Sequence, residues 1–450
     1  MRLIFRRRGA RVVDVAGNPR QEPELVGPAR PTPRETKRLS DIDDQQGLRL
    51  HVPLVLFYRR RVAGGHGDDP AAVVRRALGE ALVPYHPLAG RLREVEGRKL
   101  VVDCTGEGVL FVEADADVRL ADLEAAGLRP PFPYMDQLLS DVEGSGGSDA
   151  YMQVTRLLCG GFVVALRLNH TMCDGVGIVQ FLSAVGELAR GLPAPTVSPP
   201  WSRELLDARS PPEPTFPHPE YDPVPPPPPP SGDMTTRTFT FTPTDVVALK
   251  KRRLPPHLRD TATTFDVLVA SLWIARTAAL DIPHDEETRL AFPADVRGVR
   301  ELGLPVGYYG NALVLPAAVA AAGALRGGGG GALGDAVELV REAKKAATAS
   351  GEYARSTADL LALRGRPLPA MRNMFGVSDN RRVGFDRVDF GWGKPVYAGS
   401  VAPILGMTFL VAVRNDDGED AIAVPIMLPP PAMDRFASEL KILLGVDPYV

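Results

Sequence analysis

The chain has 450 residues, more than one ordinary hydrophobic core, so two large domains are expected. Hydrophobic residues make up 44% and charged residues 24%, the balance of a globular protein, and a net charge of −3 gives no electrostatic case for nucleic acid or an anionic membrane surface as partner. Three cysteines without a CxxC pair argue against a disulfide framework and a structural zinc site and favour a reducing, cytoplasmic compartment. No stretch approaches the roughly 18 apolar residues of a membrane span.

The N-terminus, MRLIFRRRGARVVDV, is arginine-rich and lacks a secretory apolar core. It reads as an opening strand with a basic face; an organelle transit peptide is the alternative. Pro70 opens a helix whose apolar face is Val73, Val74, Leu78 and Leu82, ending before Tyr85-His86-Pro87. Residues 151–169 read as two strands about Gly160-Gly161. A short loop, His170-Thr171-Met172-Cys173-Asp174-Gly175, leads into a helix patterned by Ile178, Phe181, Leu182, Val185 and Leu188, which Gly191 ends.

Proline clusters from Pro211 to Gly232, with six in succession from Pro225 to Pro230. Such a run cannot enter a helix or a central strand and favours extended polyproline II. Residues 201–235 are therefore expected to be a crossover between an N-terminal domain, 1–200, and a C-terminal domain, 236–450. Beyond it, Thr263-Thr264-Phe265-Asp266 resembles a capping box before a helix through Leu268, Leu272 and Trp273. Five glycines, Gly327 to Gly331, predict a surface loop. Residues 406–414 and 421–428 alternate as strands about the turn Asn415-Asp416-Asp417-Gly418, and Met433, Phe436, Leu440 and Leu443 pattern a closing helix.

The chemistry concentrates at His170-x-x-x-Asp174. A strand end feeding a helix is a rigid place to aim a side chain, and histidine can accept a hydroxyl proton near neutral pH. Taken singly, His170 reads as a hydrogen-bonded strand-end residue and Asp174 as a helix N-cap. A metal pair lacks a third ligand at the right spacing, and a Cys173–His170 nucleophilic pair needs adjacent motif positions to face each other.

The two motifs together carry a resemblance. His170 to Gly175 resembles the HxxxDG motif of the plant BAHD acyltransferases, and Asp389-Phe390-Gly391-Trp392-Gly393 their DFGWG signature, about 215 residues further on. Tyr85 to Leu92 and Gly307-Tyr308-Tyr309-Gly310-Asn311-Ala312 are similar to the family's YxPLAGRL and GYYGN segments. The stretches Pro31–Glu35, Leu39–Gln45, Val102–Val109 and Val154–Cys159 are similar to the benzyl alcohol benzoyltransferase and hexenol acetyltransferase subgroup.

The resemblance implies two α/β domains of chloramphenicol-acetyltransferase topology, with mixed sheets flanked by helices and joined by a long crossover loop. It implies a monomer that esterifies a small neutral alcohol from acyl-CoA, a co-substrate, with no metal and no bound cofactor. His170 is then the general base, and Asp174 orients the loop by pairing with an arginine. Ser378 is the candidate oxyanion donor, and Thr263 and Thr264, with the basic run Lys250 to Arg253, are candidates for CoA. Asp389, Gly391, Trp392 and Gly393 are structural, with Arg297 as the candidate partner of Asp389. An amine acceptor and a non-catalytic binding protein of the same fold are the alternative readings.

Overall fold

The computed structural model describes residues 23–445, except 61–68, 126, 133–134, 140–149, 228–231, 327–330, 405 and 416, together with three two-residue strands before residue 23. The side chains of the arginine-rich N-terminus, part of the six-proline run, most of the five-glycine loop and one residue of the 415–418 turn lie outside the described residues.

The chain forms two units. In the first, the strands are β1 (Glu24–Val26), β2 (Thr36–Arg38), β3 (His51–Tyr58), β4 (Arg91–Glu94), β5 (Leu100–Asp103), β6 (Val109–Ala116), β7 (Ala150–Leu157) and β8 (Phe162–Asn169), with helices α1 (Pro70–Ala81) and α2 (Gly175–Ala189). The main sheet runs β6-β7-β8-β3, with β6 and β7 parallel and the other pairs antiparallel. The strand β8, buried at five successive positions, reads FVVALRLN, the near-continuous apolar run of a central strand covered on both faces. Its core joins Leu54, Leu56 and Val164 to Val74 and Leu78 of α1 and Phe181 and Leu182 of α2. A smaller sheet, β2-β5-β4, lies in the same unit.

The second unit holds β9 (Thr235–Phe241), α3 (Pro243–Arg253), α4 (Thr264–Ala279), β10 (Glu287–Ala291), β11 (Ala317–Ala321), α5 (Ala332–Thr348), α6 (Glu352–Leu363), β12 (Met374–Asp379), β13 (Met407–Arg414), β14 (Asp420–Leu428) and α7 (Pro430–Leu444). Its sheet runs β9-β14-β13-β12-β10-β11. Here β12 and β13 are parallel, β13–β14 is a hairpin, and β14 pairs antiparallel with β9. That repeats the first unit's β6-β7-β8-β3 pattern, and a helix follows the hairpin in each. The position answering to His170, between hairpin and helix, holds Pro429 in the second unit, so the repeat carries a titratable group only once.

The expected boundary needs correction. The reading of 236–450 as one C-terminal domain carrying DFGWG fails, because Gly303–Ala312 and Arg382–Val401 belong to the first unit. The reason is main-chain pairing: strand Tyr397–Ser400 bonds antiparallel to β3 and extends the first sheet. The second unit begins at Ala208, within the expected crossover, whose described residues form short 3-10 turns at Arg203–Leu206 and Pro219–Tyr221 before β9 starts at Thr235.

Candidate active site

His170 sits in the first unit, one residue beyond β8. Its amide donates to the Leu50 carbonyl at 2.8 Å, so the main chain leaving the strand is fixed. Its ring Nδ1 lies 3.0 Å from Oδ1 of Asn311, a fully buried residue of the Gly303–Ala312 segment. The Asn311 amide nitrogen donates to the His170 carbonyl at 2.8 Å and the Thr171 carbonyl at 3.3 Å, which leaves Oδ1 as the atom facing the imidazole. Oxygen there can only accept, so Nδ1 carries the hydrogen and Nε2 keeps its lone pair. A half-buried imidazole held this way can take a proton at Nε2 and no other atom.

Asp174 is the N-cap of α2. Its Oδ1 accepts from Gly177 N at 3.0 Å, and its Oδ2 accepts from Ala312 N at 3.0 Å. One carboxylate therefore starts the helix and fastens the residue after Asn311. Cys173 is buried in the first core, which removes the alternative of a Cys173–His170 nucleophilic pair. Among the described residues no cluster of three His, Cys, Asp or Glu could hold a metal ion.

Two glycines of α2 let other backbone approach it closely. A Cβ on Gly177 would stand 2.0 Å from the Tyr309 carbonyl oxygen, and one on Gly186 2.4 Å from that of Asp389. Nine residues apart, they lie on opposite faces of the helix. The DFGWG segment thus packs against the helix whose first turn aims His170. Within that segment, Asp389 Oδ1 accepts from Gly391 N at 2.7 Å and Gly393 N at 2.8 Å, with both glycines at positive φ, 106° and 83°. Phe390 and Trp392 stack edge-on against Tyr58 and Phe162. The arginine at Asp389 is Arg190, at the end of α2: its guanidinium lies 3.9 Å from Oδ2 and donates to the Asp389 carbonyl. The expectation of Arg297 is corrected, since Arg297 lies in the second unit and bonds Asp295 through its amide at 2.9 Å and its guanidinium at 3.2 Å. The resemblance pointed to Arg297; the close packing allowed by Gly186 brings Arg190 to Asp389 instead.

In the second unit, Thr263 caps α4 in a capping box with Asp266: Thr263 Oγ1 accepts from Asp266 N at 3.2 Å, and Thr263 N donates to Asp266 Oδ2 at 2.9 Å. Thr264, Lys250 and Arg381 line a cavity of about 540 Å³, walled also by Val246, Ala412 and Ile422. The basic run divides by role: Lys250 faces this cavity and donates to the Ala262 carbonyl at 2.5 Å, whereas Arg252 and Arg253 cap the last carbonyls of α7. Ser378 lies on β12, its hydroxyl donating to Asn380 Oδ1 at 3.0 Å.

The Transferase family profile matches residues 20–443. The chain belongs to this family, the BAHD acyltransferases. It is 50% identical to benzyl alcohol O-benzoyltransferase of Petunia hybrida, over 95% of this chain and 94% of the relative. It is 48% identical to alcohol acyltransferase 16 of Actinidia chinensis var. chinensis, over 94% and 92%. Among solved structures, vinorine synthase superposes with a TM-score of 0.68 at 21% identity, covering 95% of this chain and 98% of that one. F. graminearum TRI101 complexed with ethyl coenzyme A gives 0.67 at 16%, covering 90% and 97%. The fold is thus two chloramphenicol-acetyltransferase-like domains, as the motifs implied.

For this BAHD acyltransferase the sequence named His170 and Asp174 but passed over Asn311. The signal was present: Asn311 ends the GYYGN segment, the one residue there whose side chain can both donate and accept through an amide.

Proposed function

We propose that the protein transfers an acyl group from acyl-CoA to the hydroxyl of a small neutral alcohol, through a ternary complex with His170 as general base. The observation that carries this reading is the 3.0 Å contact of His170 Nδ1 with Asn311 Oδ1, which assigns the hydrogen to Nδ1 and leaves Nε2 to accept the hydroxyl proton. The alcohol oxygen attacks the thioester carbonyl as His170 takes its proton. The C–S bond then breaks, and the same proton passes to the departing CoA sulfur. The oxyanion between these steps needs a donor, for which Ser378 is the candidate once its hydroxyl leaves Asn380. Thr264, Lys250 and Arg381 are candidates for the CoA phosphates, because a helix start beside two cations suits an anion. Proton transfer of this kind requires neither metal nor bound cofactor. The chain is read as acting as a monomer in the cytoplasm; among the described residues no helix is long and apolar enough to cross a membrane.

The likeness to benzyl alcohol O-benzoyltransferase and to alcohol acyltransferases supports benzyl or C6 alcohols as acceptors and acetyl- or benzoyl-CoA as donors. The test is kcat/KM for benzyl alcohol, hexenol, shikimate and an amine, each with acetyl-, benzoyl- and coumaroyl-CoA. Preference for the neutral alcohols supports the reading, and preference for the amine or shikimate replaces the acceptor class.

A further inference from the structure

The anchoring of Asn311 runs beyond the two carbonyls of the His170 loop. Asp43, fully buried, puts Oδ1 at 2.9 Å from both the main-chain and the side-chain nitrogen of Asn311. The same oxygen accepts from Arg203 Nη1 at 2.7 Å. Asp43 Oδ2 is held by the amide of Ser40 at 3.1 Å and its hydroxyl at 2.6 Å. Arg203 is itself 1% exposed, donates from Nη2 to the Met172 carbonyl at 2.9 Å, and lies over the rings of Trp201 and Tyr309 at 4.5 and 4.9 Å. A Cβ on Gly310 would fall 1.9 Å from Arg203 Nη1, so the residue before Asn311 leaves room for the guanidinium only as glycine.

We propose that Asp43, paired with Arg203, is a positioning residue for the acyl transfer: it anchors Asn311 and through it fixes which nitrogen of His170 carries the hydrogen. The proposal rests on the reading of His170 as general base. Of the three acceptors around the Asn311 amide nitrogen, Asp43 alone is charged, and charge-assisted hydrogen bonds are roughly twice as strong as neutral ones. If the Asn311 amide turned over, a nitrogen would face Nδ1, the hydrogen would move to Nε2, and the base would lose its lone pair. Stability alone does not account for this arrangement, since apolar groups in place of a buried ion pair are often neutral or stabilising. An apolar pair could not hold Asn311 by both of its nitrogens. Arg203 completes the hold by tying the same carboxylate to Met172, two residues beyond His170.

The experiment uses the full-length protein labelled with 15N-histidine, with His170→Ala identifying the resonance. The wild type is expected to show protonated Nδ1 and bare Nε2. The variants are Asp43→Asn, which keeps the shape, and Asp43→Leu with Arg203→Met, which removes both buried charges together. Each is expected to show mixed tautomers at His170 and a kcat lower by about 10- to 100-fold, with KM for acyl-CoA within about threefold. A folded variant that keeps the single Nδ1–H form and kcat within about threefold of wild type overturns the proposal. Mixed tautomers with undiminished kcat uphold positioning by Asp43 and instead overturn the general-base reading. Should the double variant not fold, Asp43→Asn alone decides.

Discussion

His170 and Asn311, 141 residues apart in sequence, meet at 3.0 Å between ring nitrogen and amide oxygen. A neutral amide in this place orients the imidazole without a formal charge beside it. Asn311→Leu is therefore expected to lower kcat by about 10- to 100-fold while KM for acyl-CoA changes little, since the group removed acts on the base and not on the donor. Steady-state kinetics on folded variant checks this; a KM effect with kcat intact would assign Asn311 to substrate binding.

His170→Ala removes the proton acceptor and the ring's hydrogen bond to Asn311 Oδ1, but keeps the main-chain contacts of residue 170 to Leu50 and Asn311 Nδ2. Turnover should fall by about 10²–10⁴ in a variant that still folds, with a stability loss of no more than about 1–3 kcal/mol from the unpaired Asn311 oxygen. Wild-type turnover in the variant would exclude His170 as base.

Asp174→Asn should cost both stability and rate. Asp174 accepts from Gly177 N with one oxygen and Ala312 N with the other, so an amide nitrogen in either place faces a donor. A buried donor left unpaired costs about 1–3 kcal/mol. Thermal melts and kcat measured together test it; a variant equal to wild type in both would reduce Asp174 to an ordinary cap.

Gly186→Ala puts a methyl group 2.4 Å from the Asp389 carbonyl oxygen, which is main chain and yields only by moving DFGWG. A loss of about 1–3 kcal/mol is expected from this overpacking. Gly191→Ala is not an equivalent control despite the open space around it, because Gly191 has a φ of 90°. Denaturant unfolding of the Gly186 variant gives the value, and an unchanged midpoint would contradict the close approach.

Asp69 caps α1 and meets Arg156 through both oxygens at 2.5 Å, and this pairing holds its carboxyl below the usual range although burial opposes it. A depressed folded pKa contributes stability that is present above the unfolded value, about 3.9, and is lost as pH falls through the folded one. The pair is partly exposed, so it is worth about 1 kcal/mol at most. The difference in melting temperature between wild type and Asp69→Asn should be largest near neutral pH and close below pH 3–4, by calorimetry across that range. A gap that persists at low pH would place the effect in the cap instead.

Local pattern determined much of this protein. The helix from Pro70, the β7–β8 hairpin, the α2 helix capped by Asp174 and the Thr263 capping box all follow from spacing and capping chemistry within a few residues, and the structure places them there. The motif residues His170 and Asp174 were legible for the same reason: strand, loop and helix are contiguous. Tertiary structure alone decided the rest. Strand Tyr397–Ser400 joins the first sheet by hydrogen bonds that no local pattern encodes, and it takes DFGWG with it. Arg190 reaches Asp389 because Gly186 lets the backbones close. Asn311 reaches His170 because a buried carboxylate, itself held by an arginine, and two loop carbonyls converge on one amide from separate stretches of chain. Hydrogen-bond partners that far apart in sequence are selected by packing and desolvation in the folded state, and spacing along the chain carries no record of them.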